Sequence, residues 1–157
     1  MAGRTVYRAT FRLFLQPWFR LSRGLTLGVR ALVADEAGGV LLVRHGYAPG
    51  WILPGGGVER GETAEDALMR ELAEEAGIVP LERPRLLGLL ANDAQFPGDH
   101  IAVFTVGRWR QQPRTASALE IAEQGFFPPD ALPEGTTGGT RRRIAEWQTG
   151  APVPDRW

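Results

Sequence analysis

Between Gly56 and Ile78 the chain reads GGVERGETAEDALMRELAEEAGI, which sets four glutamates, one arginine and two framing glycines at fixed intervals. The pattern is G-x5-E-x7-R-E-U-x-E-E-x-G-U, with U a bulky aliphatic residue. Gly56, Glu62, Arg70, Glu71, Glu74, Glu75 and Gly77 fill the specified places, and Leu72 and Ile78 the aliphatic ones. On a helix, Glu71 and Glu75 project from one face, and Glu74 lies three residues from Glu71. Like charges so spaced destabilise an isolated helix by about 0.2–0.5 kcal/mol per pair, a cost that a divalent cation removes. Hard cations such as Mg²⁺ take oxygen ligands and are commonly held by one or two carboxylates plus substrate phosphates. The chemistry indicated is therefore metal-assisted reaction at a phosphate. An acidic helix alone is more often a solvated face. Here the approach WILPGGGVERGE argues otherwise, because glycines let backbone pass close to a metal or phosphate. Arg70, beside Glu71, can pair with Glu62 and fix this loop against the helix.

These residues need a frame. From Thr63 to Ala76 strong helix formers run without Gly or Pro, so a helix is expected there. Thr63 and Asp66 form its start, and Gly77 supplies the left-handed residue at its end. Ala64, Ala67, Leu68 and Leu72 recur at spacings of three and four and give the core stripe. Strands are expected at Leu25–Ala34, at Val40–Arg44, in RLLGLLA, in IAVFTVGRW and in EIAEQGFF. TRRRIAEWQ, from Thr140 to Gln148, reads as a late helix. Gln111 to Ser117 reads as a flexible connection, and the Arg141-Arg142-Arg143 run as a solvated helix face. Strands on either side of one helix, then a second helix, give an α/β/α sandwich with a mixed β-sheet between helices.

A chain of 157 residues is expected to hold one domain. The division expected is an N-terminal helical extension over 1–22, the main domain over 23–150 and a tail over 151–157. Formal net charge is zero, so nothing global points to nucleic acid. Locally, residues 1–30 carry six arginines and no acid, whereas residues 59–75 carry seven acids against two arginines. A carboxylate site near basic ground suits a phosphorylated anion. Cysteine is absent, which excludes disulfides, zinc-thiolate sites and thiol nucleophiles. No apolar run is long enough to span a membrane, and a cytoplasmic location is expected. In the first twenty residues Tyr7, Phe11, Phe14 and Trp18 follow helical spacing beside a stripe of Arg4, Arg8 and Arg12. That segment is read as packing on the domain or in a homodimer contact, with contact to an anionic membrane as the less favoured alternative.

The Gly56–Ile78 pattern resembles the signature of the Nudix hydrolase family, MutT-like enzymes. The likeness extends over roughly Leu25 to Trp147 and is weaker at EIAEQGFFPPDALP. The resemblance implies the Nudix sandwich fold and hydrolysis of a nucleoside diphosphate linked to another group, with Mg²⁺ or Mn²⁺. It implies Glu71 and Glu75 as principal metal ligands, Glu74 as a further one and the Gly55 carbonyl as a backbone ligand. Arg70 and Glu62 would hold the loop-helix geometry, with Gly56 and Gly77 as structural members. A late glutamate, Glu120 ahead of Glu123, would serve as ligand or general base; the base is left open between Glu75 and Glu120. Arg30 and Arg44 are candidates for substrate phosphate. His45 and His100 are read as structural. A small nucleotide such as a (d)NTP is the expected partner, and nucleic acid is not. The alternative is a Nudix-fold binding or regulatory module without catalysis, for which an altered glutamate set is the usual mark; none is altered here.

Overall fold

The structure, a computed structural model, describes residues 24–117 and 120–157. The expected N-terminal extension lies outside the described residues. Among the described residues there are eight strands: β1 (Thr26–Val33), β2 (Val40–His45), β3 (Trp51–Ile52), β4 (Ile78–Pro80), β5 (Arg85–Ala91), β6 (Asp99–Val106), β7 (Trp109–Gln111) and β8 (Ile121–Phe127). Helix α1 (Ala64–Glu71) continues into a wider π turn over Leu72–Ala76, and α2 (Gly138–Thr149) closes the element order.

Alternation along β1 explains the layering. Val29, Ala31 and Val33 point to one face, and Leu32 points to the other. β1 pairs in parallel with β6, which pairs antiparallel with β5, so the sheet β1-β6-β5 is mixed. One of its faces packs Ala102 and Phe104 against Ala67, Leu68 and Leu72 of α1 and its π turn. The opposite face packs Ile101, Val103 and Leu90 against Leu42, Leu53 and Ile144 of α2. Helices therefore cover both faces, and an antiparallel sheet β3-β2-β8 lies on the α2 side. A two-stranded ladder, β4-β7, follows the π turn.

Several expectations shift in detail. The helix expected from Thr63 to Ala76 starts as foreseen, in a reciprocal capping box between Thr63 and Asp66, but widens after Glu71. Carbonyls at its end are taken by the 111–117 stretch: Thr115 and Ala116 donate backbone N–H to Glu74 O, and the Gln111 side chain donates to Ala76 O. That stretch is thus a docked cover rather than a flexible connection. Arg143 is not solvated. It is fully buried, donating to Glu146 Oε1 at 2.5 Å and to Arg156 O at 3.3 Å, because the 151–157 segment folds over it. That segment is pinned to β5: Ala91 N–H donates to Asp155 O at 2.8 Å, and Trp157 N–H to Ala91 O at 3.0 Å.

Gly77 ends the π turn at φ 66°, and a Cβ there would sit 2.0 Å from Gln112 O. Left-handed backbone and a clash with a carbonyl both oppose a side chain. Gly77→Ala is expected to lower the unfolding free energy by about 2–4 kcal/mol, measured by urea denaturation. A change within about 0.5 kcal/mol would show that the turn is not held as described.

Candidate active site

The glycine-rich loop runs along the free edge of β1. Val29 N–H donates to Gly56 O at 2.8 Å, Ala31 N–H to Pro54 O at 2.9 Å, and Val58 N–H to Leu27 O at 2.8 Å. Two glycines are required by this approach. A Cβ on Gly55 would lie 2.1 Å from Val29 O, and one on Gly56 would lie 2.3 Å from Glu71 Oε1. The loop is thereby brought against β1 on one side and against the Glu71 carboxylate on the other.

Arg70 ties the loop to the helix. Its Nε donates to Glu62 Oε1 at 2.8 Å, and its Nη2 to Glu62 Oε2 and to Gly57 O, each at 3.1 Å. Its Nη1 donates to Glu71 Oε1 at 2.7 Å and lies 3.5 Å from Glu74 Oε2. A rigid guanidinium fork suits this shared grip, since its five donors are fixed in one plane. The hydrogen bond from Arg70, then that from Glu59 N–H, pushes the Glu62 carboxyl down to about 2. Glu62 in turn raises the Arg70 guanidinium above its usual value.

Glu75 is the most confined of the acids, at 3% exposure. Its Oε2 accepts from Gly55 N–H at 2.8 Å, and its Oε1 lies 3.5 Å from His45 Nε2. Burial pushes its carboxyl up to about 7, and the Glu71 and Glu120 charges add to that. The Gly55 hydrogen bond and the Arg30 charge oppose it without cancelling it. Arg30 donates through Nη1 to Leu53 O at 3.1 Å and to Gly55 O at 2.5 Å. Burial lowers the Arg30 guanidinium from its usual value. His45 is held below its usual value first by burial and then by Arg30.

The structure thus gathers Gly55, Gly56, Arg30, Glu62, Arg70, Glu71, Glu74 and Glu75 at one edge of the sheet. Glu120 stands exposed just before β8, where its backbone carbonyl accepts from Gly46 N–H at 3.0 Å. Its charge bears on both Glu75 and His45. Arg44 is turned elsewhere: it pairs with Glu123 across β2 and β8 and lies 5.9 Å over the Trp51 ring. His45 was read as structural, yet it sits against Glu75. No spacing in the sequence signals this, because β2 and the π turn meet only in the fold. Among the described residues no group of three or more His, Cys, Asp or Glu is preassembled to hold a metal ion. The donor set nevertheless suits a hard dication. All its donors are oxygen, the acids outnumber the cations around them, and Glu75 is desolvated with its burial only partly offset by Arg30.

The family model of the NUDIX domain matches residues 24–148. The chain belongs to the Nudix hydrolase family. It is 46% identical over 126 residues to a Bacillus subtilis (strain 168) protein provisionally named 8-oxo-dGTP diphosphatase, covering 80% of this chain and 82% of the relative. It is 43% identical over 61 residues to the RNA pyrophosphohydrolase of Halorhodospira halophila (strain DSM 244 / SL1), covering 39% of this chain and 34% of that relative. Among solved structures, the MutT NUDIX hydrolase of Burkholderia pseudomallei superposes with a TM-score of 0.66 at 31% identity, covering 76% of this chain and 95% of that one. The MutT protein of Methanosarcina mazei Go1, at 21% identity and a TM-score of 0.64, shares the fold over 82% of this chain and 96% of its own. The Nudix hydrolase assignment makes this an enzyme acting on phosphoanhydrides. No helix among the described residues is long and apolar enough to cross a membrane.

Two measurements check the electrostatics. The folded Glu75 value near 7 lies above the ordinary 4.5, so between these values the folded protein keeps a proton that the unfolded chain releases. Stability linked to Glu75 is therefore complete below about pH 4.5 and is lost as pH rises through 7. In chelator, wild type should lose up to roughly 3 kcal/mol relative to Glu75→Gln between pH 5 and 8, read by calorimetry; parallel pH slopes for the two proteins would contradict a desolvated carboxyl. Separately, Arg70→Gln should let the Glu62 carboxyl climb from about 2 back toward 4.5, followed by NMR titration. An unmoved value would place its cause outside Arg70.

Proposed function

We propose that this Nudix hydrolase cleaves a phosphoanhydride bond of a deoxynucleoside triphosphate or related nucleoside diphosphate derivative, with Mg²⁺ or Mn²⁺, in the cytoplasm. The observation that carries the reading is the buried Glu75 carboxylate, hydrogen-bonded by Gly55 N–H and set beside Glu71. Such a group is costly to ionise by itself and favourable to ionise against a cation. Glu71 and Glu75 would hold the ion, with Glu74, Glu120 and the Gly55 carbonyl as further oxygen donors. When bound, the ion neutralises phosphate oxygens and lowers the pKa of water.

The chain's own residues supply the rest. Arg70 holds Glu71 and the loop in register, so that the carboxylate side of the site is preorganised. Gly55 N–H orients Glu75, and Arg30 fixes the Leu53 and Gly55 carbonyls while bringing a positive charge toward the phosphates. The attacking water would give its proton to a carboxylate, with Glu75 and Glu120 as the two candidates. The 46% identical relative, provisionally named for 8-oxo-dGTP, supports an oxidised purine triphosphate as the first substrate to test. The likeness to RNA pyrophosphohydrolases spans only about a third of those proteins and lends little to an RNA substrate.

A product screen over nucleoside triphosphates and diphosphate derivatives with Mg²⁺ tests this. Turnover is expected to vanish in chelator and to return on adding Mg²⁺ or Mn²⁺. Glu75→Gln should lower kcat at least about a hundredfold, and comparing its pH-rate profile with that of Glu120→Gln assigns the base. Absence of turnover for every substrate with either metal would end the proposal. A Glu75→Gln enzyme as fast as wild type would end the site assignment alone.

A further inference from the structure

Two leucines of β5, Leu89 and Leu86, are more than half exposed, and so is Leu25, where the chain enters β1. Single exposed apolar residues are ordinary, but a group on one face calls for a partner. Leu89 stands opposite Ala102 in the ladder, and Leu86 opposite Phe104. Cross-strand partners share a face, and Ala102 and Phe104 lie on the face that packs on α1. Among the described residues, the buried members of that face come from β1 and β6, and none comes from β5. The helix therefore leaves a leucine shelf on β5 uncovered. The remainder of β5 is accounted for. Leu90 is buried on the α2 side, and the 151–157 segment crowds Gly88 through Val153 and pairs with Ala91.

The chain itself enters the sheet beside this shelf. Thr26 N–H donates to Gly98 O at 3.1 Å, which fixes where residues 1–23 leave the fold. Ala102, level with Leu89, is four residues beyond Gly98. Leu89 thus lies roughly 13 Å along the strands and roughly 10 Å across them from that exit. Residues 17–23 alone span up to about 23 Å when extended. A helix over residues 5–16, ending before Pro17, would be about 18 Å long. That length suits a shelf running from Leu89 to Leu86.

We propose that residues 1–23 of this same chain cover the β5 shelf, laying Tyr7, Phe11, Phe14 and Trp18 over Leu86 and Leu89 and bracing α1 from its open side. The helical spacing of those four aromatics gives an apolar stripe of the kind that the shelf lacks. Charge agrees: the segment holds five arginines and no acid. Glu65 and Asp66, in the first turn of α1, stand at the rim, where Arg83 grips Glu65 beside the start of β5. Tethering favours this occupant over a second copy, because a short linker holds its segment at an effective concentration in the mM range.

The chain has no cysteine, so one introduced thiol reports alone. The test is the rate of iodoacetamide alkylation of Leu89→Cys in the full chain, with and without Phe11→Ser/Phe14→Ser. Breaking the stripe should speed alkylation at least about tenfold. Val40→Cys, at a core position with no exposure, should stay unreactive in both backgrounds. Equal rates at Leu89→Cys overturn the proposal. A matching rise at Val40→Cys also overturns it, since the stripe would then support the fold at large. Protection should persist over a hundredfold dilution of a chain that sediments as a monomer. Protection lost on dilution would name a second copy as the occupant, and protection gained only with phosphatidylglycerol vesicles would name a membrane; either result overturns the proposal.

Discussion

The hydrogen bond from Gly55 N–H to Glu75 is the contact on which the rest of the site depends. It joins the glycine-rich loop to the π turn, and it does so where the acid is buried. A carboxylate in that position has lost its water and has gained one backbone donor, the charge of Arg30 and a neighbouring imidazole. Its proton affinity rises accordingly, to about 7. The same confinement that makes ionisation costly makes a dication the favourable partner. Burial, in this protein, is what sets Glu75 apart from an ordinary surface glutamate.

The surrounding architecture can be understood as the means of enforcing that contact. β1 sits at a sheet edge and accepts the loop as an extra backbone partner. This is possible because Gly55 brings no side chain against Val29, while Gly56 leaves room for the Glu71 carboxylate. Leu68 and Leu72 press the helix onto the sheet face formed by Val29 and Ala31, which fixes the height of the glutamates relative to the loop. Arg70 then sets their bearing through Glu62 and Gly57. The widening after Glu71 changes the bearing of Glu75 relative to Glu71. Its spare carbonyls are satisfied by the 111–117 stretch instead of by the helix, consistent with π turns recurring at functional sites.

The second half of the molecule packs around a cavity lined by Arg30. α2 and the segment after it enclose the cavity on the opposite side of Arg30 from the glutamates. Arg143 illustrates how firmly that segment is seated: a guanidinium with no solvent exposure, gripped by Glu146 and covered by Trp157.

The loop and helix that carry the glutamates were legible from local order alone. Helix propensity, the Thr63–Asp66 cap, the Gly77 stop and the i, i+4 spacing of Glu71 and Glu75 are all short-range properties, and they placed the loop, the helix and its acids. The Arg70–Glu62 pair was legible for the same reason, being eight residues apart across one turn of loop. What local order could not carry was every contact made between distant segments. His45 reaches Glu75 only because β2 ends beside the π turn. Arg44 finds Glu123 only because β8 pairs with β2. Arg143 is buried only because residues 151–157 return to β5. Sequence by itself determined which residue types stand ready for phosphate chemistry, since spacing along one helix decides that. Tertiary structure alone decided which of them is desolvated, because burial depends on what the rest of the chain lays over a residue.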